Sequence, residues 1–161
     1  MNLTRTRKYY HFLRKTDGIF LRNPILSLGL ALPLAVIPSY GIAGTTAISL
    51  AMLLCFVPIV FIASILGDKV PTYLRVIIYP LLSCLLLIPA SGVVKKISPV
   101  IFDTLGVYFS LICVNSLMTY SVEKAHVKKP GAALGFALRQ WIGASLVCFV
   151  CGFIRKLLAT G

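Results

Sequence analysis

Acidic side chains are almost missing from this 161-residue chain: Asp17, Asp68, Asp103 and Glu123 stand against 16 lysines and arginines. All four fall in or near the ends of apolar segments. No carboxylate pair is therefore placed to relay protons or hold a cation at mid-membrane, which argues against pump chemistry carried by this chain alone. Charged residues make up 12% of the chain, against about 25% in soluble domains. His11 and His126 lie far apart in basic segments, where headgroup contact is the expected role. No Ser–His–Asp constellation or phosphate-binding glycine loop is present, so the chain is not expected to be an enzyme on its own.

Disulfide and metal frameworks are lacking too. Cys55, Cys84, Cys113, Cys148 and Cys151 all sit inside hydrophobic runs, where free cysteine behaves as a small apolar residue and reports no redox compartment. Cys148-Phe149-Val150-Cys151 has the spacing of a metal or redox motif. Without a second pair or an exposed thiolate it reads as packing.

What the chain has is hydrophobic length, with 58% apolar residues. Roughly 20 apolar residues at 1.5 Å rise cross a hydrocarbon core of about 30 Å, and four stretches reach that length. They run from about Ile42 to Leu66 with Pro58 inside, from Tyr73 to Gly92 with Pro80 and Pro89, from Pro99 to Tyr120, and from Trp141 to Leu158 after a small-residue start at Gly131–Ala137. A shorter segment, Pro24–Tyr40, precedes them. Pro33 interrupts it, and a broken or half-length helix is expected there because proline removes a backbone donor and clashes with the preceding turn. The fold expected is an all-α integral membrane protein of about five transmembrane helices.

Residues 1–22 form a basic leader that interleaves cations with Tyr9, Tyr10, Phe12 and Phe20. It reads equally as an interfacial helix and as a positive-inside flank. Its length, Pro33 and Pro38, and the spans that follow argue against a cleaved signal peptide. With the leader cytoplasmic, the inner side carries its cations, Lys69, Arg75, Lys124, Lys128, Lys129 and Arg139, whereas the outer side has Lys95, Lys96, Arg155 and Lys156. An inside amino terminus in the plasma membrane follows. The net charge of +12 then reports orientation and contact with anionic lipid headgroups, not nucleic acid.

A repeat runs through the chain. Asn23-Pro24-Ile25-Leu26 with Leu28-Gly29-Leu30 echoes Ser98-Pro99-Val100-Ile101 with Leu105-Gly106-Val107. An odd number of segments separates the two starts, so the halves would be inverted across the bilayer, an arrangement that places a site near the midplane. A single transmembrane domain, 23–161, is expected, with repeat one at 23–92 and an incomplete repeat two at 98–161.

Asn23-Pro24-Ile25-Leu26 leading to GLALPLAV (29–36), KVPTYLRVII (69–78), LGVYFSLICVNSLM (105–118) with Glu123, and GFIRKLLATG (152–161) together resemble the paired membrane subunits of Rnf and Nqr electron-transport complexes, of the Rnf A/E and Nqr D/E type. The resemblance implies inverted three-helix repeats whose first and fourth helices are short or broken. It also implies a pseudosymmetric pair, a paralogue or a homodimer, that holds one [2Fe-2S] cluster at mid-membrane. In the family one cysteine follows the Gly-Leu of the first helix and one follows the Asn of the fourth. Those positions here are Ala31, after Gly29-Leu30, and Ser116, after Val114-Asn115. Alanine has no ligand atom and a neutral hydroxyl is a poor substitute for thiolate. Cys113, about one turn before Ser116, is a weak substitute candidate; the first half offers none near Ala31. No cofactor and no metal are therefore expected, and the second repeat is expected to lack its last helix.

The function this implies is that of a membrane subunit resembling those of an ion-translocating electron-transport complex, structural or repurposed, working with other membrane subunits. The competing expectation is a small membrane substrate-binding or transport subunit that works with a partner. A polar or aromatic cavity between segments would mark the second; broken helices at Ala31 and Ser116 would mark the first.

Overall fold

The computed structural model describes residues 28–30 and 41–160. The leader 1–22 and most of the Pro24–Tyr40 segment, including Ala31 and Pro33, lie outside the described residues. In chain order the elements are α1 (Ile42–Leu66), a 3-10 turn (Gly67–Lys69), α2 (Thr72–Ile97), α3 (Pro99–Leu105), a 3-10 segment (Gly106–Ile112), α4 (Ser116–Ala125) and α5 (Pro130–Thr160). Among the described residues every element is helical. Helices α1, α2 and α5 are each long and apolar enough to span a membrane, and the bent pair Pro99–Ile112 and Ser116–Ala125 makes a fourth span if counted as one. The protein is an all-α membrane bundle.

The boundaries follow from charge and proline. No charged side chain interrupts α1, which matches the expected Ile42–Leu66, and Pro58 is accommodated within it. Helix α2 passes the expected end at Gly92 and runs on through Lys95 and Lys96 to Ile97. Cations in a last turn face the exposed carbonyls favourably, and their stems can lie along apolar surface while the charge reaches water. Pro80 and Pro89 do not end α2, because hydrocarbon offers the backbone no alternative hydrogen-bond partner. Helix α5 starts at Pro130, so Gly131–Ala137 is its first two turns and Arg139 is a helical residue, not part of a loop.

Helix α1 occupies the centre of the bundle, with Ala51, Cys55, Ile59, Val60 and Ala63 fully buried. Its main neighbour is α5, which presents Ala133, Ala137, Ala144 and Cys148 as a buried seam. Small side chains let two backbones approach closely, and polar groups then lock the register. Ser49 and Ser145 share a hydroxyl–hydroxyl hydrogen bond of 2.7 Å, and the Trp141 indole donates to the Ser49 carbonyl at 2.8 Å. The small-residue start at Gly131–Ala137 contributes unevenly to this seam. A Cβ on either Gly131 or Gly135 would meet nothing within 4 Å, so of this stretch Ala133 and Ala137 are the buried positions.

Two hydrogen bonds bring the α1–α2 and α4–α5 connections to one end of the bundle. His126 Nδ1 lies 2.6 Å from the Gly67 carbonyl, which can only accept, and the Ser64 hydroxyl donates to the Lys128 carbonyl at 2.6 Å. The α2–α3 junction at Ser98 lies at the other end.

Candidate functional site

The fourth segment breaks where the sequence pairs a flexible residue with a capping one. Gly106 ends α3 at φ 44, ψ −122, a conformation open to glycine and strained for a residue with Cβ. The chain continues as seven residues of 3-10 helix, a longer run than the usual three or four. At three residues per turn, i and i+3 share a face. Phe109 and Ile112 are accordingly buried, while Tyr108, Leu111 and Val114 form an outward stripe that is 41%, 37% and 72% exposed. Phe109 is held edge-on by Phe102, with centroids 5.4 Å apart at 68°. Asn115 then adopts an extended conformation, and its side-chain oxygen accepts from the Leu117 amide at 2.9 Å. An asparagine cap of this kind starts the next helix. The two halves of the span meet at 44°.

This geometry separates the two residues that the sequence placed side by side. Cys113 is 1% exposed and turned into the core; Ser116, first residue of α4, is on the exposed side. Cys113 faces Ser83 and Cys84 of α2, and Cys55 of α1 lies nearby. Even so, among the described residues no three His, Cys, Asp or Glu side chains are grouped to hold a metal ion. Ala31 lies outside the described residues, but the pair before it is visible. Gly29 has φ 65 and Leu30 packs against the core. Gly29 and Gly106, the glycines matched in the repeat, both take positive φ directly after a helical leucine.

Replacing Gly106 by alanine forces a Cβ into that conformation, at a cost of about 1–3 kcal/mol. Thermal unfolding in detergent checks this. An unchanged midpoint would mean that the break does not depend on the glycine.

A second polar cluster, not singled out from the sequence as a site, joins α2 to α4. Arg75 Nε donates to the Val70 carbonyl at 2.8 Å, and its Nη1 lies 3.7 Å from Glu123 Oε2. Beside the pair is a cavity of about 10 Å³ that Tyr79 also lines, room for about one water. Among the described residues the Tyr79 hydroxyl and His126 Nε2 are buried without a hydrogen-bond partner, and the two rings meet edge-on with centroids 5.5 Å apart. His126 therefore departs from the expected headgroup role: it is 6% exposed and ties the connection to Gly67. The signal that could have exposed this cluster is Glu123, the one glutamate of the chain, which lies 48 residues from Arg75 and is opposed to it only after folding.

The other flagged residues stay apart. Asp103 is exposed on α3, while Asn115 is buried as the α4 cap. Cys148 is buried on α5 and Cys151 partly so, both as free thiols. The Gly131 and Gly135 positions bring nothing together.

No curated protein matches the chain. The family model described as Rnf-Nqr subunit, membrane protein, matches residues 11–161. With the long apolar helices and the broken fourth span, this coverage of nearly the whole chain establishes that it belongs to the Rnf-Nqr subunit family of membrane proteins.

Proposed function

We propose that this chain is a scaffold subunit of an Rnf/Nqr-type electron-transport complex in the plasma membrane, one that keeps the broken-helix frame without a [2Fe-2S] cluster of its own. The observation that carries the reading is the break itself: a full structural interruption at Gly106–Asn115 is retained while serine follows the asparagine cap. The residues present do not fit the cluster. Ala31 has no donor atom, Ser116 offers a hydroxyl, and Cys113, the nearest thiol, points into the core. Positive φ at both Gly29 and Gly106 supports the inverted-repeat organisation of 23–92 and 98–161.

The partner, a pseudosymmetric paralogue or a second copy, docks on the stripe of Tyr108, Leu111 and Val114. Apolar side chains projecting from an irregular backbone at membrane depth are tolerated where protein covers them. A photo-crosslinking residue at Val114 in native membranes should capture another membrane subunit or a second copy, whereas one at Leu81 on the outer face of α2, 61% exposed, should capture lipid. Lipid adducts alone at Val114 would remove the docking face. Two cavities among the described residues bear on the transport alternative. One is apolar and open and the other has space for one water; neither suits a polar solute.

The cytoplasmic end is the one carrying Lys69, Lys124, Lys128 and Lys129, which meet anionic headgroups there. Ser121 is fully buried and unsuited to labelling. Val127, 90% exposed, and Ile97, 67% exposed, are the usable pair. In a cysteine-free background, Val127→Cys should react with a membrane-impermeant maleimide only from the cytoplasmic side, and Ile97→Cys only from the opposite side. Reversed labelling would invert the topology.

A further inference from the structure

A proline inside a helix deprives one carbonyl of its donor, and in α2 this happens beside a cavity. Pro80 lies within α2 and has no N–H, so the Val76 carbonyl lacks the amide that would meet it in a regular α-helix. The proline ring also presses on that carbonyl and holds the turn open. Val76 and Pro80 both line the cavity of about 10 Å³ beside the Arg75–Glu123 pair. In hydrocarbon a carbonyl released in this way is met by a neighbouring helix, a hydroxyl or an ordered water.

Two further polar groups converge on the same space. Tyr79, the residue before the proline, is 1% exposed and lines the cavity. Among the described residues its hydroxyl, both a donor and an acceptor, meets no hydrogen-bond partner. Burial of a hydroxyl in that state is costly, and a bound water is the usual remedy. From α4, Glu123 brings a carboxylate to the cavity, and the charges of Glu123 and Arg75 both act on the Tyr79 phenol. Met118 and Val122 close the wall with apolar surface. A buried water needs about 10–15 Å³ and roughly two to four polar partners, and both conditions are met here. The Arg75 guanidinium on the same wall disfavours a cation in its place.

We propose that this cavity is a binding site for one water molecule, which accepts from the Tyr79 hydroxyl and donates to the Val76 carbonyl and the Glu123 carboxylate. Both protons of the water and one lone pair are thereby engaged. The water joins the proline-opened turn of α2 to α4, so the second half of the broken span is fixed against α2 by this bridge as well as by the ion pair at 3.7 Å.

X-ray radiolytic labelling of the full chain in lipid nanodiscs, read by mass spectrometry, tests this. Radiolysis makes hydroxyl radicals from held as well as bulk water, so a buried ring beside a held water is oxidised. Tyr79 should be labelled, whereas Phe56, also 1% exposed and away from the cavity lining, should stay protected. Pro80→Ala returns an amide donor to the Val76 carbonyl and lets the turn close. Labelling of Tyr79 should then be lost while Phe56 remains protected. Should Pro80→Ala disturb the fold and expose Phe56, Val122→Ile, which adds one methylene to the cavity wall, gives the same reading. Tyr79 as protected as Phe56 in the unaltered protein would overturn the site. So would labelling of Tyr79 that survives these variants with Phe56 protected, since opening of the helices and not a held water would then deliver the radical.

Discussion

Protein purified anaerobically is expected to carry no stoichiometric iron or acid-labile sulfide and no visible iron–sulfur absorbance. A [2Fe-2S] centre needs four soft ligands, normally thiolates, and the family arrangement draws two from each subunit of a pair. Here the two positions hold alanine and serine. Ala31→Cys or Ser116→Cys alone should leave the protein colourless, because one thiolate per subunit does not retain the cluster. The double variant should permit assembly where a partner supplies the remaining two ligands, and iron analysis would then rise from background to about two atoms per pair. Iron and sulfide near two atoms each per dimer in the unaltered protein would overturn the proposal. It would mean that Cys113, 1% exposed, turns outward in the assembled complex.

The second large effect belongs to the α1–α5 seam. Ala137 is fully buried, and phenylalanine there must push apart two helices whose register is locked by the Ser49–Ser145 bond. Overpacking of this kind costs about 1–3 kcal/mol, occasionally more, and should appear as a lower unfolding midpoint in detergent with weakened Trp141 burial. Gly135→Ala supplies the contrast. Its new methyl meets nothing within 4 Å, and exchanging glycine for alanine inside a helix gains up to about 1 kcal/mol. The opposite outcome, a tolerant position 137 and a sensitive position 135, would place the seam on the glycines.

Hydrophobic length by itself determined the membrane class and the limits of α1, because 25 residues without a charge admit no other solvent than hydrocarbon. The interruption of the fourth segment was legible only through the family resemblance, although Gly106 and Asn115, which carry it, have local backbone preferences that suit a break and a cap. The residues that matched the family were legible because order and spacing along the chain need no folding to be read.

Only the tertiary structure decided which side of the break each residue faces. A span that changes from α to 3-10 geometry rotates successive side chains by different amounts, so a pattern read at one period cannot place Cys113 inward and Ser116 outward. Pairings across long sequence intervals were hidden likewise. Arg75 meets Glu123, His126 meets Gly67, and Ser49 meets Ser145 because α1, α2, α4 and α5 pack side by side. Choosing Ala133 and Ala137 over Gly131 and Gly135 depended on the rotation of α5 against α1, a property of two packed surfaces that neither helix encodes alone.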